Sequence, residues 1–149
     1  MHIIFASTSG HTEYVVETLA PLLRKAGMTV ETQRVELAKP EDLLRGDVLI
    51  LASSTWNTGN IEGQLNPHMH IFLKELAKDV ALNGKKAALI ALGDARYHYT
   101  ANASVHLEEF VKMHDGRLII PTLKIINEPY GQESAVQTWA NMLVSALAS

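Results

Sequence analysis

Six residues near the start of the chain carry groups that can hold an anion by hydrogen bonds alone. They lie between the apolar run HIIFA and a segment with helical spacing, and they are Ser7, Thr8, Ser9, Gly10, His11 and Thr12. A strand-to-helix corner aims free backbone N–H groups and the positive end of the helix dipole at a ligand. Because the segment has no lysine, arginine or cysteine, it predicts an anion cradle rather than a catalytic centre.

An alternative explanation is that these serines and threonines only cap the following helix. The density of hydroxyl groups around one glycine supports anion binding about as well as capping, so on this loop alone both explanations stay open. The common phosphate motifs G-x-x-x-x-G-K-[ST] and G-x-G-x-x-G do not occur in the sequence. The loop therefore predicts a phosphate cradle that supplies no counter-cation of its own.

Two further segments carry aromatic side chains among small and polar residues. Trp56 lies in SSTWNTGN, and Tyr97 and Tyr99 lie in GDARYHY. A loop tryptophan on its own usually packs against its neighbours. Two aromatic loops beside a phosphate cradle instead predict a flat conjugated ligand that ends in a phosphate and has its ring between aromatic side chains.

The elements that must position these loops are short apolar strands that alternate with helices. We expect strands at residues 2–6, 28–35, 47–52, 86–92 and 117–126. Apolar residues recur at helical spacing over 15–26, 69–76, 103–111 and 136–147. This alternation predicts an α/β fold with a mostly parallel sheet and helices on both faces. Ligands of such sheets bind at the carboxyl ends of the strands, where loops 7–12, 52–66 and 93–102 would meet.

Several residues mark the expected ends of these helices. Asn66 followed by Pro67 predicts a helix start, and Gly27 and Gly116 predict helix ends. The spacing of Ser134 and Gln137 predicts a capping box at the last helix.

Composition narrows the class of protein. The chain has 149 residues, and we expect one domain over residues 1–149. Its net charge of −3, without a cluster of basic residues, argues against nucleic-acid binding. The sequence has no cysteine, which excludes disulfides and thiol chemistry, and it shows no signal peptide or long apolar span. These features predict a cytoplasmic protein without a membrane partner.

The sequence resembles the flavodoxin family, FMN-binding electron carriers, along essentially its whole length. The matching segments are STSGHTEYVVETL for the phosphate loop and first helix, SSTWNTG for the tryptophan loop, and LGDARYHY for the third loop. The uninterrupted segment RLIIPTLKI is similar to the last strand of the short-chain members. The resemblance implies a three-layer, doubly wound flavodoxin-like sandwich with a five-stranded parallel sheet in the order 2-1-3-4-5.

The same resemblance implies a role for each loop residue. Residues 7–12 would bind the FMN phosphate, Ser54 and Thr55 would assist, Trp56 and Tyr97 would stack on opposite faces of the flavin, and Asp94 would lie by its pyrimidine edge. Asn57 would provide the peptide that turns toward the flavin, with a positive φ in the turned state. The remaining expected contacts are Thr58, Gly59, Leu92, Gly93 and Tyr99.

The implied function is a low-potential, one-electron carrier that is not an enzyme and works as a monomer. Its partners would be a flavodoxin reductase-type donor and an acceptor enzyme. The sequence differs from the family pattern at His11, where asparagine is usual, and in being far less acidic. Three alternatives stay open: a small NAD(P)H-dependent FMN oxidoreductase, a MioC-like auxiliary flavoprotein and a non-redox regulatory module. The histidines have no ligand spacing, so we expect no metal.

Overall fold

A central sheet organises the chain in the computed structural model, which describes residues 1–96 and 100–148. Within these ranges seven strand segments form the sheet: β1 His2–Phe5, β2 Glu31–Arg34, β3 Val48–Thr58, β4 Ile61–Leu65, β5 Lys86–Gly93, β6 Arg117–Leu118 and β7 Leu123–Ile126. The order is β2-β1-β3-β5-β6, with β7 also paired to β5 and β4 paired to β3. All pairs are parallel except β3 with β4.

The helices flank this sheet on both sides. They are α1 His11–Lys25, α2 Pro67–Ile71 with a π-helical turn Phe72–Leu76, α3 Ala103–Met113 and α4 Glu133–Ala148. Short 3₁₀ segments occupy Val35–Leu37 and Pro40–Leu44. Of the helices in the described ranges, none has the length and apolar character needed to cross a membrane.

Alternating strand residues supply two separate cores. Ile3 and Ile50 pack with α1 and α4 on one face, whereas Ile4 and Leu49 pack with α2 and α3 on the other. Successive side chains of a strand point to opposite faces, so a strand covered on both sides is apolar throughout. The expected flavodoxin-like sandwich is therefore confirmed. The expected strand order 2-1-3-4-5 is confirmed as well, because the parallel strands follow it once the extra strand β4 is left out of the numbering.

The sheet has more strand segments than the five that the sequence predicted. The last predicted strand, 117–126, is divided into β6 and β7. Pro121 lies in the gap and cannot donate to a neighbouring strand, while its carbonyl accepts a hydrogen bond from Trp139 Nε1 at 2.9 Å. The extra strand β4 forms a hairpin with β3 in a segment that we expected to be a loop.

The expected helix ends are correct in part. Asn66 Oδ1 accepts a hydrogen bond from the His68 N–H at 2.9 Å and Pro67 is the first residue of α2, as predicted. Gly27 has a φ of +94° just after α1, which confirms it as a helix stop.

Of two other expected helix signals, one is wrong. The end expected at Gly116 is present, since the Gly116 N–H donates to the Val111 carbonyl at 2.7 Å just after α3, although the left-handed residue there is Asp115, with a φ of +62°. Gly116 is required for space, because a Cβ there would lie 2.7 Å from Val111 Cγ1. The last helix already begins at Glu133, so Ser134 lies inside it and does not form the N-terminal cap.

Candidate functional site

The three loops of interest lie at one edge of the sheet because β1, β3 and β5 run parallel. Residues 7–12 follow β1, residues 53–58 continue β3, and residues 94–102 follow β5. β1 is next to β3 and β3 is next to β5, so the loops are neighbours in space. The arrangement that the sequence predicted for this edge is thus present.

The first loop turns sharply into α1 at Gly10. Gly10 has a φ of +92°, and the Ser7 Oγ accepts a hydrogen bond from the Glu13 N–H at 3.1 Å. Ser7 therefore caps the helix, which was the alternative explanation for this residue. Thr8 and Ser9 are exposed, and the Thr8 Oγ1 accepts a hydrogen bond from Asn66 Nδ2 at 3.0 Å.

Thr12 is the residue in this loop that helix capping does not explain. Its side chain is 1% exposed, and within residues 1–96 and 100–148 its Oγ1 has no hydrogen-bond partner. A buried hydroxyl without a partner costs free energy, so native proteins usually satisfy it with a protein group, water or a ligand. At the start of α1, this hydroxyl fits an anion that is bound by the loop.

Arg34, the last residue of β2, supports the loop from the neighbouring strand. It pairs in register with Phe5, and its guanidinium donates to the Ser7 carbonyl at 2.6 Å. It also forms ion pairs with Glu13 and Glu36. The hydrogen bond to Glu13 holds the pKa of the Arg34 guanidinium above its ordinary value. Two carboxylates balance this cation, so it adds no net positive charge to the loop.

An aromatic cluster flanks the first loop. The ring of His11 packs edge to face on Tyr130, with 5.7 Å between the ring centroids, and Tyr130 packs on Tyr14 at 4.8 Å. The Tyr14 hydroxyl donates to Glu133 Oε1 at 2.6 Å. This bond lowers the pKa of the Glu133 carboxyl and raises the pKa of the Tyr14 hydroxyl. His11 thus connects the predicted phosphate loop with Tyr130, in the segment just before α4.

The tryptophan segment is the β3–β4 hairpin rather than an irregular loop. Thr58 pairs with Ile61, and the two residues between them, Gly59 and Asn60, have φ values of +63° and +64°. Positive φ at both central residues is typical of the two-residue turns that match the twist of a hairpin. Asn57, where we expected positive φ in the turned state, is an exposed strand residue outside the left-handed region.

Hydrogen bonds within the hairpin restrict which hydroxyls can reach a ligand. The Trp56 indole Nε1 donates to Ser54 Oγ at 2.5 Å, which leaves the Ser54 hydroxyl hydrogen to be donated elsewhere. Thr55 Oγ1 donates to the Leu92 carbonyl at 2.9 Å and accepts from the Ala103 N–H at 3.0 Å. Thr58 Oγ1 donates to the Leu65 carbonyl at 2.7 Å. Ser54 is therefore better placed than Thr55 or Thr58 to donate to a phosphate.

The third loop begins where β5 ends at Gly93. A Cβ at Gly93 would lie 2.1 Å from the backbone nitrogen of Ala101, so only glycine permits the return of the chain. Asp94 accepts hydrogen bonds from the Arg96 guanidinium, the shortest at 2.6 Å, and these bonds lower the pKa of the Asp94 carboxyl. The predicted contacts Tyr97 and Tyr99 lie outside the described residues.

Four polar residues contact these loops although they were not among the site residues predicted from the sequence. Arg34 and Asn66 hold the first loop, while Asn102 and His106 both donate to the Gly63 carbonyl of the hairpin. For Arg34, its position at the carboxyl end of a strand next to β1 was a usable signal. In the part of the chain that the structure describes, no three His, Asp or Glu side chains group as metal ligands do.

A separate concavity of about 760 Å³ lies at the opposite end of the sheet. Its lining includes Met28, Leu82, Lys85 and Leu147, which are all remote from the three loops. The carboxyl-edge loops carry the predicted chemistry, so we place the candidate site there and not in this concavity.

Comparison with known proteins identifies the family. The family profile described as Flavodoxin matches residues 3–139. The flavodoxin of Nitratidesulfovibrio vulgaris is 30% identical over 146 residues, covering 97% of each chain. The protein MioC of Escherichia coli is 32% identical over 146 residues, covering 95% of this chain and 96% of its own.

Solved structures agree with this result. Oxidised Flavodoxin 2 of Bacillus cereus has a TM-score of 0.84 at 30% identity, with 94% of each chain covered. Oxidised Flavodoxin 1 of the same organism has a TM-score of 0.85 at 24% identity, which supports the shared fold. A profile match across nearly the whole chain, together with relatives at 30% identity or more, shows that this chain belongs to the flavodoxin family.

Proposed function

We propose that the chain binds one FMN non-covalently at the carboxyl edge of its sheet and carries single electrons at low potential between redox proteins. Membership of the flavodoxin family supports the class of function. The observation that carries the assignment to this edge is the buried Thr12 hydroxyl, which is unpaired within the described residues at the start of α1. A phosphate group would satisfy it.

In this proposal the first loop holds the phosphate. The N–H groups at the start of α1 and the hydroxyls of Thr8, Ser9 and Thr12 donate to its oxygens. Ser7 fixes the loop through the Glu13 N–H, and Gly10 permits the left-handed turn. The Ser54 hydroxyl, which the Trp56 indole orients, donates from the neighbouring strand. The loop offers the phosphate no net positive charge, so binding depends on directed hydrogen bonds.

The hairpin and the third loop hold the ring. Bound FMN supplies the electron-accepting chemistry, while the residues of the chain bind it, orient it and exclude water. Trp56 and Tyr97 cover its two faces, Asn57, Thr58 and Gly59 approach it from the hairpin, and Leu92, Gly93, Asp94 and Tyr99 do so from the third loop. These assignments are those that the resemblance to flavodoxins implies.

The charges of the described residues near the ring affect the potential at which a bound flavin is reduced. Asp94 is paired with Arg96, so its carboxylate is partly neutralised. With a net charge of −3, the chain opposes addition of negative charge to a bound flavin less than a strongly acidic carrier does. We therefore place the potential of the second one-electron step above that of acidic flavodoxins at the same ionic strength.

A MioC-like auxiliary role is the second candidate, because MioC is 32% identical over 95% of this chain. Both roles use bound FMN, and they differ in the redox partner. In either role we propose that residues 1–149 act as one domain and one monomer. A cytoplasmic location is consistent with the absence of cysteine.

Spectra of the purified protein test the proposal. We expect a flavin spectrum on addition of FMN, and reduction by NADPH only when a flavodoxin reductase is also present. Oxidation of NADPH by the protein alone would instead indicate an oxidoreductase. A protein that stays colourless after incubation with FMN would indicate a non-redox module and refute the proposal.

A further inference from the structure

The start of α3 is tied to the β3–β4 hairpin by side chains that have no assigned role. Asn102 Nδ2 and His106 Nε2 donate to the same Gly63 carbonyl, at 2.8 and 2.9 Å. A carbonyl oxygen only accepts, so His106 must carry its hydrogen on Nε2. Residues four apart on a helix share one face, which explains how both side chains reach one atom.

Gly63 is the irregular point of the hairpin. Trp56 pairs with Gln64 and Thr58 pairs with Ile61, so β4 has one residue more than β3 across this interval. Gly63 has a φ of +75°, which suits a bulge. A bulge removes backbone groups from the regular ladder, and buried groups then need other partners. Asn102 and His106 supply them for the Gly63 carbonyl.

The same end of α3 also contacts the strand that leads into the third loop. Ala101 has a φ of +54°, and its backbone lies so close to Gly93 that no Cβ would fit there. The Ala103 N–H donates to Thr55 Oγ1, which itself donates to the Leu92 carbonyl. The start of α3 therefore connects the hairpin with the end of β5.

We propose that Asn102 and His106 are positioning residues that hold the Trp56 hairpin in the FMN-binding arrangement through the Gly63 carbonyl. The proposal rests on the proposed function, since it assigns FMN to this edge. Neither side chain needs to touch the cofactor. Their effect on affinity arises because FMN binds only the fraction of molecules in which the hairpin is correctly placed.

The size of the effect follows from the loss of one hydrogen bond. If the whole free energy of such a bond favours the correctly placed hairpin, its removal weakens FMN binding by roughly three- to tenfold. Because both donors share one acceptor, we expect the loss of both to weaken binding by less than the product of the single effects.

The experiment compares His106→Phe and Asn102→Ala with a matched control, His114→Phe. His114 lies just past the other end of α3, where its Nε2 is 3.0 Å from the Lys78 carbonyl, away from the three loops. FMN affinity is measured by fluorescence quenching. Hydrogen exchange of backbone amides 56–64 is measured in the apoprotein, together with the thermal midpoint. His106→Gln, which keeps an amide donor, serves as the conservative rescue.

We expect His106→Phe and Asn102→Ala to weaken FMN binding roughly three- to tenfold and to speed exchange in the hairpin, with partial recovery in His106→Gln. His114→Phe should stay within about twofold in affinity and leave hairpin exchange unchanged, even where its thermal midpoint falls similarly.

The proposal is overturned if the variants match His114→Phe in affinity, or if affinity changes without faster hairpin exchange. A parent protein that binds no FMN refutes the proposed function instead. Hairpin exchange then still decides whether the Gly63 carbonyl holds the hairpin.

Discussion

Replacing Thr12 with valine should stabilise the apoprotein and weaken FMN binding at the same time. The Thr12 side chain is 1% exposed, and its Oγ1 is unpaired among the residues described. Valine keeps the branched shape and removes the hydroxyl. Relief of a buried, unpaired hydroxyl should raise the free energy of unfolding by roughly 1 kcal/mol, or about 2–4 °C in thermal midpoint.

The affinity for FMN should change in the opposite direction from the stability of the apoprotein. A hydrogen bond to a charged acceptor contributes about 1.5–3 kcal/mol, so its loss should weaken FMN affinity roughly 10- to 150-fold. Riboflavin, which lacks the phosphate, should bind the parent and Thr12→Val with similar affinity. Opposite signs for stability and affinity would identify Thr12 as a ligand-binding residue rather than a core residue.

Thr18→Val is the matched control on the same helix. The Thr18 Oγ1 donates to the Tyr14 carbonyl at 2.9 Å, so its hydroxyl is already satisfied. This variant should lose a little stability and keep its FMN affinity. The assays are thermal unfolding of both apoproteins and fluorescence titration with FMN and riboflavin. If Thr12→Val is destabilised as Thr18→Val is, and binds FMN like the parent, the assignment of Thr12 to the phosphate is wrong.

Three further changes test other parts of the site. Trp56→Ala should weaken the binding of both FMN and riboflavin roughly tenfold by titration and hardly change the thermal midpoint of the apoprotein. A large loss of stability with unchanged affinity would make Trp56 a structural residue. His11→Asn should keep FMN affinity within roughly threefold of the parent by titration, because asparagine also donates a hydrogen bond; a much larger loss would show that the ring contact of His11 with Tyr130 supports binding. Tyr14→Phe should raise the pKa of the Glu133 carboxyl measured by NMR, since the hydrogen bond from Tyr14 lowers it. The stability that this bond contributes is present at neutral pH and is lost as the pH falls through the folded-state pKa of Glu133. An unchanged pKa of Glu133 would contradict the cause given.

The order of strands and helices was predictable because each element has its own hydrophobic pattern. Strands such as 47–52 are apolar throughout because both of their faces are buried, and helices such as 103–111 have apolar residues at helical spacing because one face packs on the sheet. The β3–β4 hairpin was missed because its strands are mostly polar and lie beyond the apolar run. The pair Gly59 and Asn60 was the available signal, since both residues tolerate positive φ.

Only those parts of the candidate site that are formed by residues close together in the sequence were predictable. Hydroxyls around Gly10 and the tryptophan in its polar segment are local patterns, and parallel strands bring them to one edge. Contacts from other elements, such as Arg34 on Ser7 or His106 on Gly63, depend on strand register and helix packing. A sequence without its fold does not specify those contacts.

Titration of the purified apoprotein with FMN and, in parallel, with riboflavin tests the central claim most directly. If the first loop holds a phosphate at the carboxyl edge, we expect one FMN per chain and riboflavin binding weaker by at least about tenfold. Equal affinity for the two flavins, or no binding of FMN, would contradict the account.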